Sequence, residues 1–223
     1  MSDVEIRVVE DPAREAAGLL IEHAAAGGHI ALSGGSAPGP AYELAAQLHP
    51  DWGRAHVWFG DERAVPPGDS LSNYRLVRTT LLDSLSRSPE VHRVRGERPV
   101  EEAAALYDEE LDGVTLDLAL NGIGPDGHTA SLFPGSPALS EQKRRAVAVE
   151  AGLEPNVPRV TMTPTVFGET AVLVYLVIGQ AKAPAVKAAF ADEPSPATPA
   201  SEIRGRTTIV ILDAAAASLL PQG

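Results

Sequence analysis

The chain contains no cysteine, which removes disulfides, thiolate metal sites and cysteine nucleophiles together and fits a reducing compartment. It is also poor in cations: 18 Lys and Arg stand against 30 Asp and Glu, a net charge of −12. That is the wrong sign for a protein that grips nucleic acid through its phosphates, so any anionic ligand must be met by basic side chains gathered locally. The longest apolar run, Ala171 to Ile178, is eight residues, against the roughly 20 that a bilayer span needs. The opening MSDVEIRVVEDP alternates polar and apolar residues and lacks the basic-then-apolar pattern of a secretory signal. The expectation is a cytoplasmic protein with neither a membrane nor a nucleic-acid partner; its oligomeric state is left open.

No internal repeat and no linker divides the chain, and the proline-containing stretch Glu193 to Ala200 is short enough to be a surface loop. With 223 residues, 44% hydrophobic and 22% charged, one domain over 1–223 with a continuous core is expected. Apolar β-rich segments alternate with helical ones, the pattern of crossover units. Strands are expected at Val4 to Val9, His29 to Ser33, Ala55 to Phe59, Leu116 to Asn121, Arg145 to Glu150, Arg159 to Thr163, Val172 to Ile178 and Thr207 to Leu212. Helices are expected at Asp11 to Ala26, Ala37 to Leu48, Ser72 to Leu85, Val100 to Leu111 and Lys182 to Ala191, with a helical turn at Pro164 to Glu169 and a capped helix at Asp213 to Leu220. Asp11, Pro12 and Gly27-Gly28 are start and stop signals for the first of these. The fold class is α/β: a three-layer αβα, Rossmann-like arrangement with a mostly parallel sheet.

Ligands of such sheets bind beyond the carboxyl ends of the strands, and four segments there carry chemistry. LSGGSAPGP places Gly34, Gly35 and Ser36 where backbone amides and a helix start can cradle a phosphate, although a short glycine loop can equally be a plain turn. WFGDER brings Asp61 and Arg63 to a strand end; Arg63 could hold a carboxylate or a developing oxyanion, and a solvated charge cluster is the competing reading. NGIGPDGHTASLFPG sets Asp126 and His128 two apart in a loop opened by Gly122, Gly124 and Gly127. A histidine there can be neutral near pH 7 and take a proton from water while a carboxylate fixes its tautomer. His23, His29, His49, His56 and His92 lack that setting and read as core or surface residues. The fourth segment is diffuse: Arg159 in VPRVTMTP, and Lys182 in the first turn of a helix, where the dipole disfavours a cation and a bound anion would remove the conflict.

Together these segments resemble, in order and over nearly the whole chain, the 6-phosphogluconolactonases, most specifically at DGHTASLFPG. The resemblance implies a sheet of the type shared with glucosamine-6-phosphate deaminases and a hydrolysis that needs no metal and no cofactor. It implies phosphate binding by Gly34, Gly35, Ser36, Arg159 and Lys182, orientation of a phosphorylated sugar lactone by Asp61 and Arg63, and base catalysis by His128. The product would be 6-phosphogluconate, a step of the oxidative pentose phosphate pathway. In that scheme Asp126 orients the imidazole and Arg63 stabilises the tetrahedral intermediate.

Three other readings compete. Deaminases that resemble the chain at both glycine loops typically carry a glutamate soon after this histidine, whereas Thr129 to Pro134 reads TASLFP. Ser36, Asp61 or Asp126, and His128 follow the order of α/β-hydrolase triads, but Pro38 stands where the nucleophile elbow needs glycine. A sugar-phosphate sensor domain would use the same sheet for binding alone.

Overall fold

The computed structural model describes residues 3–151 and 154–221. The strand Val172–Val177 (β9) shows how its core is built. Leu173, Tyr175 and Val177 enter one apolar cluster, and Val174 and Leu176 enter the other, the period-two alternation of a strand covered on both faces. The second cluster is completed by the helices Pro12–Ala26 (α1), Pro38–Leu48 (α2) and Asn73–Thr80 (α3). The first is completed by Val100–Glu110 (α4), Pro164–Glu169 (α5), Ala183–Phe190 (α6) and the short Pro199–Glu202 (α7).

The other strands are Asp3–Val8 (β1), His29–Leu32 (β2), His56–Phe59 (β3), Asp61–Arg63 (β4), Glu90–Val91 (β5), Leu118–Asn121 (β6), Ala146–Val149 (β7), Arg159–Met162 (β8) and Thr207–Leu212 (β10). Together with β9, six of them form one sheet in the order β1-β10-β9-β6-β2-β3-β5, parallel at every pairing. From β2 the chain winds outward through β3 to β5, then returns to the other side of β2 with β6 and winds outward through β9 to β10. The winding reverses between β2 and β6. A second, antiparallel sheet, β4-β8-β7, packs against the first cluster through Ala146, Val147, Val160 and Met162.

The expected elements are present within a residue or two, with three corrections. The helix expected over Ser72 to Leu85 ends at Thr80, and Leu82–Ser84 is a 3₁₀ turn. Thr79 and Thr80 turn their hydroxyls back on the carbonyls of Arg75 and Leu76, competition that weakens a helix end. Asp213 to Leu220 is a succession of turns and not a helix. Asp213 does accept from the Ala216 amide at 2.7 Å, but its carboxylate also holds the Gly179 amide at 3.0 Å, tying the segment to the end of β9. The Glu193 to Ala200 loop ends inside α7, whose Ala200 amide donates to the Gly127 carbonyl at 2.9 Å, so it braces the histidine loop.

Two buried tyrosines close the strand ends that face the site. The Tyr42 hydroxyl accepts from the Ser33 amide at 3.0 Å and donates to the Ser33 carbonyl at 2.8 Å. Tyr107 does the same for Phe59, at 2.8 and 2.9 Å. Tyr42→Phe strips both backbone groups of their partner, and is expected to cost about 1–3 kcal/mol in urea unfolding with little change in slope.

Candidate active site

The loops leaving β3, β2, β6 and β9 meet over the crevice at the reversal between β2 and β6, the place where open parallel sheets bind ligands. They enclose a cleft of about 230 Å³ whose lining includes Gly34, Gly35, Ser36, Asp61, Arg63, His128, Arg159 and Lys182. Every candidate from the sequence therefore faces one space except Asp126, which stands behind His128.

His128 Nδ1 lies 2.5 Å from Asp126 Oδ1, and the same oxygen accepts the His128 backbone N–H at 3.2 Å. Nδ1 is thus the donor, and Nε2 has no hydrogen-bond partner among the described residues; in the neutral ring it is Nε2 that carries the lone pair. Burial works against the Asp126 charge, but hydrogen bonding and charge from His128 and the backbone hold the carboxyl below its ordinary pKa. Phe133 closes one side of the imidazole, with ring centroids 4.7 Å apart. Gly124 closes another: a methyl group there would occupy the space of the imidazole itself. Gly127, at φ 80°, makes the turn that lets its amide reach the Gly124 carbonyl at 3.1 Å.

Asp61 is buried and held from two directions. Asn73 Nδ2 donates to its Oδ1 at 3.0 Å, and the Ser131 hydroxyl donates to its Oδ2 at 2.5 Å. Ser131 follows Ala130, whose φ of 48° is the only positive value for a non-glycine among the described residues. This left-handed turn costs about 1–2 kcal/mol, and aims Ser131 at Asp61 while Thr129 holds the Gly122 carbonyl. Glu62 is buried too. Burial raises its pKa, opposed by the amides of Tyr74, Asn73 and Arg63 and the Ser72 hydroxyl; the carboxylate thereby caps α3 and fixes it to β4.

Arg63 and Arg159 are cross-strand partners in the β4–β8 pair. Arg63 Nη1 is anchored on Asn73 Oδ1 at 2.5 Å and the Leu71 carbonyl at 3.0 Å, and Arg159 lies over the Phe133 ring at 5.2 Å. Burial and the Arg63 charge depress the Arg159 pKa, against the pull of Asp61. Like charges directly opposite one another are unfavourable, and an anion entering the cleft would relieve this pair. Lys182, at the start of α6, donates from Nζ to the Ile123 carbonyl at 2.8 Å; burial lowers its pKa, with Asp126 opposing. An anion would stabilise the charged ammonium. Across the cleft, Gly35 adopts φ 101°, and Ala37, at the N-cap of α2, offers no side-chain cap. Pro38 and Pro40 have no N–H to offer, so donors on this side come mainly from the loop itself.

Asn73, Ser131, Glu62 and Ser72 were not foreseen as site residues; the one signal available was the Ser72 cap ahead of a helix. Ser36 lines the cleft, but no hydrogen bond joins it to His128 among the described residues, so the serine triad is not assembled. Asn121, at the end of β6, is buried with neither side-chain polar atom partnered among the described residues, a desolvated amide that subtracts from stability.

Comparison with known proteins gives a consistent picture. Residues 3–211 match the family described as glucosamine-6-phosphate isomerases/6-phosphogluconolactonase. The chain is 36% identical over 209 residues to a 6-phosphogluconolactonase of Mycobacterium leprae, covering 86% of this chain and 85% of that one. It is 35% identical over 206 residues to a human 6-phosphogluconolactonase, covering 86% and 80%. A solved structure of 6-phosphogluconolactonase from Trypanosoma cruzi superposes with a TM-score of 0.85 at 27% identity, covering 99% of this chain and 98% of that one. By sequence and by fold, this chain belongs to the glucosamine-6-phosphate isomerase/6-phosphogluconolactonase family.

Proposed function

We propose that the chain hydrolyses 6-phospho-D-glucono-1,5-lactone to 6-phosphogluconate, in the oxidative pentose phosphate pathway, with His128 as general base. The observation that carries this reading is the unpartnered His128 Nε2, held by Asp126 through Nδ1, in the same cleft as a glycine loop and three basic side chains. The names of the relatives support the choice of substrate.

His128 Nε2 takes a proton from water, and the hydroxide adds to the lactone carbonyl carbon. The carbonyl oxygen becomes an oxyanion, stabilised by Arg63. The oxyanion then collapses, the bond from that carbon to the ring oxygen breaks, and the ring oxygen takes up the proton held at Nε2 and leaves as a sugar hydroxyl, which returns the imidazole to its starting state. Asp61 orients the substrate. The phosphate is held by the Gly34, Gly35 and Ser36 segment, Arg159 and Lys182, so its binding energy positions the distant carbonyl.

The test generates the lactone in situ and follows its loss above the spontaneous background. Charge-assisted hydrogen bonds contribute about 1.5–3 kcal/mol each, so kcat/KM for the lactone lacking phosphate is expected to be at least about 100-fold lower. Ammonia release from glucosamine 6-phosphate, with no excess loss of lactone, would replace this reading with a deaminase.

A further inference from the structure

The amino ends of the central and edge strands, at the opposite pole of the sheet from the cleft, carry a second cluster of titratable side chains. His29 pairs with His56 across β2 and β3, and His56 with Glu90 across β3 and β5. Two positions on, Trp58 and His92 return to the same face. The His29 ring stacks on His56 with centroids 4.3 Å apart, and the Trp58 ring stacks on His92 at 3.9 Å. Trp58 also donates its indole N–H to His29 Nδ1 at 3.0 Å, which fixes the stack.

Clamped in this way, the two imidazoles turn nitrogens toward each other. His56 Nδ1 lies 3.2 Å from His92 Nε2. Glu90 closes the triangle, with Oε2 3.5 Å from His56 Nδ1 and Oε1 3.6 Å from His92 Nε2. Ligands held at about 2.0–2.1 Å around a tetrahedral zinc ion stand roughly 3.3 Å apart, close to these separations.

We infer that His56, His92 and Glu90 form a binding site for a divalent first-row transition ion, with Zn²⁺ its natural class of occupant and water completing the coordination. Two imidazoles and one carboxylate suit zinc and its neighbours more than magnesium or calcium. The Glu90 side chain is 66% exposed and that of His56 32%, so the ion has access from solvent. The ring stacking does for these ligands what outer-shell hydrogen bonds commonly do, setting their orientation before the ion arrives. The site would staple the two-residue edge strand β5 to β3, the strand whose far end delivers Asp61 and Arg63. It stands apart from the proposed hydrolysis and does not depend on it.

The protein without a polyhistidine tag would be titrated with Co²⁺ and then Zn²⁺, following visible d–d absorption and tryptophan emission. One equivalent of Co²⁺ should develop d–d bands and quench Trp58, and Zn²⁺ should reverse both. His56→Gln and His92→Gln are each expected to weaken binding by about 10- to 100-fold or more. Because those rings pack on the sheet, Glu90→Gln at an exposed position gives the cleaner arm, with at least about tenfold weakening and unchanged circular dichroism. His128→Ala should bind Co²⁺ as the wild type does. Absence of d–d bands, a Glu90→Gln affinity equal to wild type, or loss of binding in His128→Ala would each overturn the assignment, the last by moving the ion to the cleft.

Discussion

Alanine at position 128 is expected to lower kcat for lactone hydrolysis by about 10²- to 10⁴-fold, with KM changing far less. In the proposed mechanism the imidazole does not hold the phosphate, a task assigned there to the glycine loop, Arg159 and Lys182, which line the same cleft. Removing a group that acts only as the proton moves should therefore depress kcat and kcat/KM together. In the proposed mechanism Asp126 works through the same ring, since its Oδ1 meets His128 at Nδ1 and at the backbone amide. Asp126→Asn should consequently slow the wild type but add little to His128→Ala, because residues that work as one unit are not additive. Steady-state kinetics of the two single variants and the double variant decide the matter. An unchanged kcat in His128→Ala would remove the base from the mechanism, and a full extra loss in the double variant would give Asp126 a separate role.

Gly124→Ala should be nearly as damaging, although it deletes no functional group. Other glycines at the site confound such a test: Gly35 and Gly127 have positive φ, so alanine there strains the backbone. Gly124 does not share that conformation, and what an added methyl meets is the His128 ring and the Asp126 carboxylate. The imidazole must swing away, and a displacement of about 1 Å from reactive geometry costs on the order of 10²-fold. The expected result is a kcat loss of that size with phosphate affinity retained, read from competitive inhibition by inorganic phosphate. Unchanged kcat would mean that the loop shifts as a body and carries the base with it.

Much of this arrangement was legible in the residue pattern because its main signals are local. The parallel strands advertise themselves as apolar runs such as Val172–Val177, and the Asp126 to His128 spacing lies within a single loop. What escaped depends on approach from far away in the chain. Asp61 and Arg63 were legible as candidates, with a solvated charge cluster as the competing reading, but the burial was not: Asp61 and Glu62 are 5% and 2% exposed, because β4 pairs with β8 and Asn73, Ser72 and Ser131 come in from two other segments. Three charged residues offer no periodicity from which such burial could be read. The histidines at 56 and 92 were equally silent: nothing in the sequence says that β5 will lie beside β3. Terminal alanines between Asp213 and Leu220 illustrate the opposite error, since good helix formers alone do not sustain so short a segment.

The outermost pairing of the large sheet has a consequence for the order of folding. Strand β1 has β10 as its neighbour, with Asp3 opposite Thr207, so the closure entropy of a very long loop stands against that contact. Strands β2, β3 and β6 pair over shorter separations and can assemble before it forms. Once docked, β1 still leaves its outer margin unpaired, with Val4, Ile6 and Val8 partly exposed along it.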